Sequence, residues 1–269
     1  MRMLPLTLVM LGLIGPANAD TLRAGGLGAT VKLLPILAAG FGDKQASALE
    51  VIPNLGSNGG LKALAGGALD IAVSGRPLKE EELNQGLRVA VIMRTPFVMV
   101  SSHEKPDGLK SVEIAELFRA ERSTWTDGSP VRVILRTKSD SDTPILGGMF
   151  PGMVSAIEAA RKRHDVPIAA TDQDNAEAAE RIPGSLAGST LTQLTIERRS
   201  LRLLSIDGVA PSLEALESGA YPFSKTIYFV LPAKTNPRAE DFVAFLRSPA
   251  GRAILRDSGD LIIPDPGKS

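Results

Sequence analysis

Cysteine is missing from the 269 residues, and only two histidines occur, His103 and His164. The first absence excludes a disulfide framework, a thiolate nucleophile, a zinc knuckle and an iron–sulfur cluster. The second leaves little material for a histidine-based metal or catalytic site. No charge predominates either: 30 Lys and Arg balance 30 Asp and Glu. A protein that follows nucleic-acid phosphates gathers basic residues on one face, so the charge gives no case for such a partner. Aromatic residues make up only 4%, and Trp125 is the single tryptophan. Packing suits it better than a sugar-stacking role. The G-x-S-x-G elbow of serine hydrolases does not occur, and no nucleophile–base pair stands out. His103, beside Glu104 and Lys105, and His164, after Arg161-Lys162-Arg163, are expected to be solvated surface residues. The basic triplet reads as last-turn charge facing a helix dipole. These absences predict a protein that is not an enzyme and uses no cofactor and no metal.

What is present begins with an export signal. Arg2 supplies a positive start, Leu4 to Ile14 an apolar stretch, and Ala17-Asn18-Ala19 a small-x-small cleavage pattern. The apolar run is too short to span a bilayer, which takes about 20 residues. Residues 1–19 are therefore expected to be a cleaved signal peptide, with the mature chain starting at Asp20 in a bacterial periplasm. Lack of cysteine is no handicap in that oxidising compartment.

The mature chain alternates short apolar runs with helical periodicities. Thr21 to Ala24, Ala48 to Ile52 and Leu69 to Val73 read as strands. Between them lie a helix marked by Val31, Leu34, Leu37 and Phe41 and another running from about Gly56 to Gly66. That alternation implies a parallel sheet with right-handed crossovers. Leu87 to Met93 and Pro96 to Ser101 are two further apolar runs, separated by Arg94-Thr95. A helix at Val112 to Phe118 and a strand at Val131 to Leu135 follow. A long helical pattern through Ile145, Met149, Met153 and Ile157 is broken or kinked by Pro151-Gly152. Leu201 to Ile206 and Lys225 to Leu231 are strands, and two helices close the chain, the second opened by Ser248-Pro249. The pattern describes two α/β lobes with chain crossings near Arg94 to Phe97 and Tyr221 to Lys225.

Polar loops follow several of these strands, and ligands of open α/β sheets bind at such carboxyl ends. Gly26-Leu27-Gly28-Ala29-Thr30 starts like a dinucleotide fingerprint, but Val31 stands at the third glycine position. Gly56-Ser57-Asn58-Gly59-Gly60-Leu61-Lys62 is loosely like a phosphate loop without its spacing. Each loop also reads as an ordinary helix start, although such starts offer unpaired amides to an anion. The sharpest cluster is Arg136 with Ser141 and Thr143, a guanidinium and hydroxyls suited to a small oxyanion. Asp140 and Asp142 weigh against it by bringing like charge.

Taken in order, these pieces resemble the phosphate-binding periplasmic proteins and their relatives, solute-binding components of ABC importers. Matching segments are Gly26 to Thr30, Gly56 to Lys62, Asp70 to Leu78 and Arg136 with Ser141-Asp142-Thr143. Further on come Ile206 to Ser212, Tyr221-Pro222-Phe223 and the closing Phe-x-x-Phe helix, so that almost all of the mature chain is covered. The resemblance implies a two-lobed clamshell of the periplasmic binding protein type, each lobe a mainly parallel sheet flanked by helices, joined by a two-strand hinge. Lobe 1 is expected at 20–95 and 224–269, lobe 2 at 96–223. It implies a small anion, phosphate first, held by Thr30, the amide of Val31, Ser57, Arg136, Ser141, Asp142 and Thr143. Ser74 and Arg76 flank the third-strand loop, and Ser139 is an alternative to Ser141 because the spacing from Arg136 is one residue longer than usual. An importer permease is the implied partner, and the protein is expected to be a monomer. Two departures stand out. Relatives place a proton-accepting Asp where this chain has Gly75, and Asp142 replaces a small glycine. An unprotonated or organic anion is therefore an alternative ligand, and a periplasmic sensor or adaptor an alternative role.

Overall fold

The computed structural model describes residues 21–42, 49–105 and 108–264. The expected signal peptide and its cleavage site lie outside these residues.

The chain opens with β1 (Leu22–Gly26), α1 (Leu33–Phe41), β2 (Leu49–Ile52), α2 (Gly56–Ala65), β3 (Ile71–Ser74) and α3 (Glu80–Asn84). A long strand, β4 (Arg88–Ser101), leads to β5 (Gly108–Leu109), α4 (Ser111–Arg119), β6 (Arg132–Val133) and β7 (Leu135–Arg136). Next come α5 (Asp142–Met149), α6 (Met153–Ala160), β8 (Ile168–Ala169), α7 (Asp172–Arg181), β9 (Ser185–Thr190) and α8 (Leu191–Glu197). After β10 (Arg202–Leu203), β11 (Ser205–Ile206) and α9 (Leu213–Glu217), β12 (Ser224–Leu231) returns. The chain ends in α10 (Pro237–Arg247), α11 (Pro249–Asp257) and β13 (Leu261–Ile263).

Parallel pairings join β1 to β2 and β3, β6 to β9, β7 to β8 and β5 to β11. Among the described residues, every antiparallel strand pairing involves β4 or β12. These two strands are the crossings between lobes. They run side by side through them, with Ser224 opposite Pro96, Lys225 opposite Thr95 and Thr226 opposite Arg94. The two apolar runs around Arg94-Thr95 are thus one continuous strand, because the partner β12 supplies hydrogen bonds across the polar gap.

Apolar packing divides along the same line. One core joins Ala24, Leu34, Leu37, Val73 and Met93 to Phe229, Phe242 and Leu246. Another joins Phe97, Phe118, Trp125, Val133, Met153 and Leu186 to Tyr221. Each set can bury its surface without the other, which is what allows two lobes to move about a hinge. Trp125 is a core residue, with its indole N–H donated to the Gly184 carbonyl at 3.1 Å. The expected break between α5 and α6 falls at Gly152, whose φ of 75° suits glycine.

Local chemistry explains how α7 starts and how the chain leaves β1. In α7, Thr171 accepts from the Asp174 amide while the Asp174 carboxylate accepts from the Thr171 amide, a reciprocal cap. Gly26 turns the chain out of β1 at φ 132°, and a Cβ there would stand 2.1 Å from the Val73 carbonyl oxygen. Only glycine fits.

Candidate functional site

A cleft of about 250 Å³ lies between the lobes. Leu27, Gly28, Asn54 to Asn58 and Arg76 border it from one side, Arg136, Thr137, Ser139 to Ser141 and Ala170 to Gln173 from the other. The starts of α2, α5 and α7 therefore converge on one space, each bringing backbone N–H groups that lack intrahelical partners.

Five of the expected residues border this cleft: Ser57, Arg76, Arg136, Ser139 and Ser141. Ser57 Oγ accepts from the Gly75 amide at 2.9 Å, tying α2 to the third-strand loop. Arg76 reaches the rim already engaged, with both terminal nitrogens on Glu82 and Nε on Asn58. The Glu82 hydrogen bond raises the Arg76 pKa above its ordinary value, and the pairing neutralises its charge locally.

Thr30, Val31, Ser74, Asp142 and Thr143 are not among the residues that border the cleft. Gly28 to Thr30 form a single 3-10 turn, in which the Thr30 hydroxyl donates to Leu27 O at 2.8 Å. The Thr30 and Val31 amides are likewise used within that turn. Ser74 is fully buried and donates to the Arg76 carbonyl. Thr143 donates to Thr137 O at 2.8 Å. These side chains shape the loops from behind.

Arg136, only 7% exposed, is the electrostatic centre. It meets Asp140 at 2.6 Å, the Ala169 carbonyl at 3.2 Å and Asp172 at 3.7 Å. Among the described residues its buried Nε finds no hydrogen-bond partner. Burial opposes its charge, but Asp172, Asp140 and Asp142 outweigh that and raise its pKa. Behind it, fully buried Lys225 pairs with Asp142. Burial pushes the Asp142 carboxyl up to about 6, with Lys225 pulling it back and Asp172 and Asp140 adding to the rise. The Lys225 ammonium is likewise raised, because Asp142, Asp172 and Asp140 together overcome its burial. Three carboxylates face two cations, so the surplus negative charge adds to the upward push of burial on Asp142 and overcomes the downward push of burial on Lys225.

Lys225 also accounts for Gly75. A Cβ at position 75 would lie 2.7 Å from Lys225 Cε and 2.7 Å from Ser141 Oγ. The space an acidic side chain would need there is taken by the lysine stem.

Several residues of the site had no signal in the sequence reading. From the sequence, Lys225 reads as part of a β-strand and nothing more. Asp172 and Gln173 follow a two-residue strand, and the Thr171-x-x-Asp174 cap was the one local clue. Arg161, expected as last-turn charge, stands at the C-cap of α6 and does more than face the dipole: its guanidinium donates to the Arg136 carbonyl at 2.7 Å and to the Thr143 hydroxyl at 3.3 Å. Arg163 similarly reaches the Ala120 carbonyl and Asp165. His103 is part-buried, not free in solvent, with Nε2 at 2.9 Å from Ser129 Oγ and 3.1 Å from Asp127. Both groups meet the same nitrogen, whereas a nucleophile–base–acid relay orients its base through the opposite ring nitrogen. His164 is exposed.

Among the described residues, no group of three or more His, Cys, Asp or Glu is placed to hold a metal ion. No helix among them is long and apolar enough to cross a membrane.

Comparison with known proteins places this geometry in context. Residues 14–250 match the family model described as the PBP superfamily domain. Over 219 residues the chain is 25% identical to the phosphate-binding protein PstS of Borreliella burgdorferi, covering 77% of each. It is 26% identical over 271 residues to the protein SphX of Synechocystis, covering 90% of this chain and 79% of that one. A crystal structure from Clostridium perfringens, determined with bound phosphate, aligns with a TM-score of 0.76 at 16% identity, covering 91% of this chain and 100% of the other. At that identity the likeness carries the fold.

Proposed function

Because the chain belongs to the PBP superfamily, we propose that it is a periplasmic solute-binding protein that captures a small oxyanion, phosphate first, and delivers it to an ABC importer. Lobe 1 comprises residues 20–95 and 224–269, lobe 2 residues 96–223, and the exported chain starts at Asp20 and acts as a monomer. One observation supports this most: helix starts and hydroxyls from both lobes border the same cleft, with Arg136 buried at its edge. A ligand touching both sides favours the closed form through its differential contacts, and the importer reads that form. Capture of this kind needs no bond to be broken.

Ser57 on α2 and Ser139, Ser141 and Arg136 opposite it are the ligand-binding groups of this proposal. Titration calorimetry with phosphate, sulfate, molybdate and small carboxylates tests it. Phosphate binding is expected, and Arg136→Ala is expected to cost about 2–5 kcal/mol of it. Heat from none of these anions refutes simple oxyanion capture. Unchanged affinity in Arg136→Ala removes that residue from the site.

A different anion is the second reading, favoured by one feature. The place of a proton acceptor at Gly75 is taken by the stem of Lys225. Tighter binding of a carboxylate than of phosphate in the same titrations would select it.

A further inference from the structure

We propose that Asp172 is a built-in competitor for the anion position: its carboxylate stands in for a ligand oxygen, holds the two lobes together in the free protein, and must be displaced when an anion enters. The proposal rests on the reading of the cleft as an anion site. Asp172 belongs to the start of α7 in one lobe and is 5% exposed. One carboxylate oxygen accepts the Ala29 amide of the other lobe at 3.1 Å, and the second lies 3.7 Å from the Arg136 guanidinium. A backbone N–H on one side and a guanidinium on the other are the donors an oxyanion would seek here. The neighbouring amides of Leu27, Thr30 and Val31 are already committed to backbone carbonyls. Ala29 is the donor of that turn that points across, and Asp172 takes it.

The contact is built and not incidental. Gln173 adds a second bridge between lobes by donating to the Gly28 carbonyl at 3.0 Å. Residue 28 must be small for this approach, since a Cβ would stand 2.4 Å from the Asp172 carboxylate oxygen. The start of α7 is itself held by the Thr171–Asp174 cap, and Gln193 donates to the Asp172 carbonyl at 3.0 Å. Asp172 thus moves with its lobe, so the lobes must part before an anion can take its place, and they reclose on the anion once the carboxylate has turned aside. A ligand that competes with a closed, self-satisfied state binds with an apparent affinity reduced by the fraction of protein so held.

The absence of cysteine makes the test direct. Spin labels at Lys79→Cys and Lys162→Cys, one exposed site in each lobe, report the interlobe distance in the full chain, with inorganic phosphate as probe. Without phosphate, Asp172→Ala is expected to show a longer distance than the unmodified site, and phosphate is expected to bring it back. Calorimetry is expected to show at least about tenfold tighter phosphate binding in Asp172→Ala. Asp172→Asn, which keeps the shape of the side chain, serves the same comparison if the alanine variant folds poorly. Identical distances with and without the Asp172 substitution overturn the proposal. So does weaker phosphate binding in both variants, which would make Asp172 a direct ligand contact. A longer distance in Asp172→Ala with no response of either protein to phosphate supports the competitor and sinks the phosphate reading alone.

Discussion

Lys225→Met removes the only charge that β12 sends into the site while keeping a stem of similar length. In the intact protein the fully buried ammonium pairs with Asp142, which has Asp140 and Asp172 as like-charged neighbours. Breaking a buried pair by deleting one partner costs about 3–5 kcal/mol, because the survivor is left charged in a dry place. The survivor can escape by taking a proton. Asp142 already titrates at about 6 when folded, against about 3.9 in an unfolded chain. Loss of Lys225 withdraws the one influence that lowers it, so its folded pKa rises further. The folded variant then binds a proton that the unfolded chain does not, and stability falls as pH rises through that pKa. The deficit relative to the parent is therefore expected to be largest near about pH 8 and to shrink toward about pH 6, by up to about 1.4 kcal/mol per unit. Urea unfolding followed by circular dichroism at those two pH values measures it, with the slope on denaturant checked for constancy. Adding Asp142→Asn to Lys225→Met is expected to recover most of the loss. A deficit under about 1 kcal/mol, or one equal at both pH values, refutes the reasoning.

Other expectations follow from single contacts. Gly75→Ala forces a methyl group against Lys225 Cε and Ser141 Oγ; a loss of about 1–3 kcal/mol is expected in thermal unfolding, with weaker anion binding. Arg161→Met frees the Arg136 carbonyl and Thr143 from their support, so calorimetry is expected to show reduced affinity with little change in melting temperature. Trp125 sits in the core of its lobe and does not border the cleft, so a saturating anion is expected to leave its emission maximum in place; a large shift would show that the core rearranges on binding.

The fold was legible where side chains repeat with a period and opaque where pairing alone makes the element. Leu34 and Leu37, or Ile227 and Phe229, announce a buried face from the sequence. In contrast β9 reads Ser-Leu-Ala-Gly-Ser-Thr, with little β propensity, yet all six residues are buried because β4 and β6 pair with it on both edges. The run from Val131 to Leu135 splits for the same kind of reason: β6 joins β9 while β7 joins β8. The site was legible as loops but not as hydroxyl directions. Thr30 and Thr143 have the chemistry of anion ligands, and only the 3-10 turn and the Thr137 carbonyl show that both are spent internally. Lys225 and Asp142 lie 83 positions apart, too far for any local spacing to connect them.

The ladder between β4 and β12 carries an implication for tolerance to insertion and deletion. Side chains alternate along β12, so Lys225 points inward in phase with Ile227 and Phe229, ahead of the bulge where the register with β4 shifts between Phe229 and Val230. Slipping the strand by one position would aim Thr226 at Asp142 and turn the ammonium outward. A one-residue length change upstream of the bulge would thus leave the acidic trio facing a lone guanidinium, although every residue of the cleft kept its identity. This stretch of the ribbon works as a ruler, and its length is as much a part of the anion site as any group that borders it.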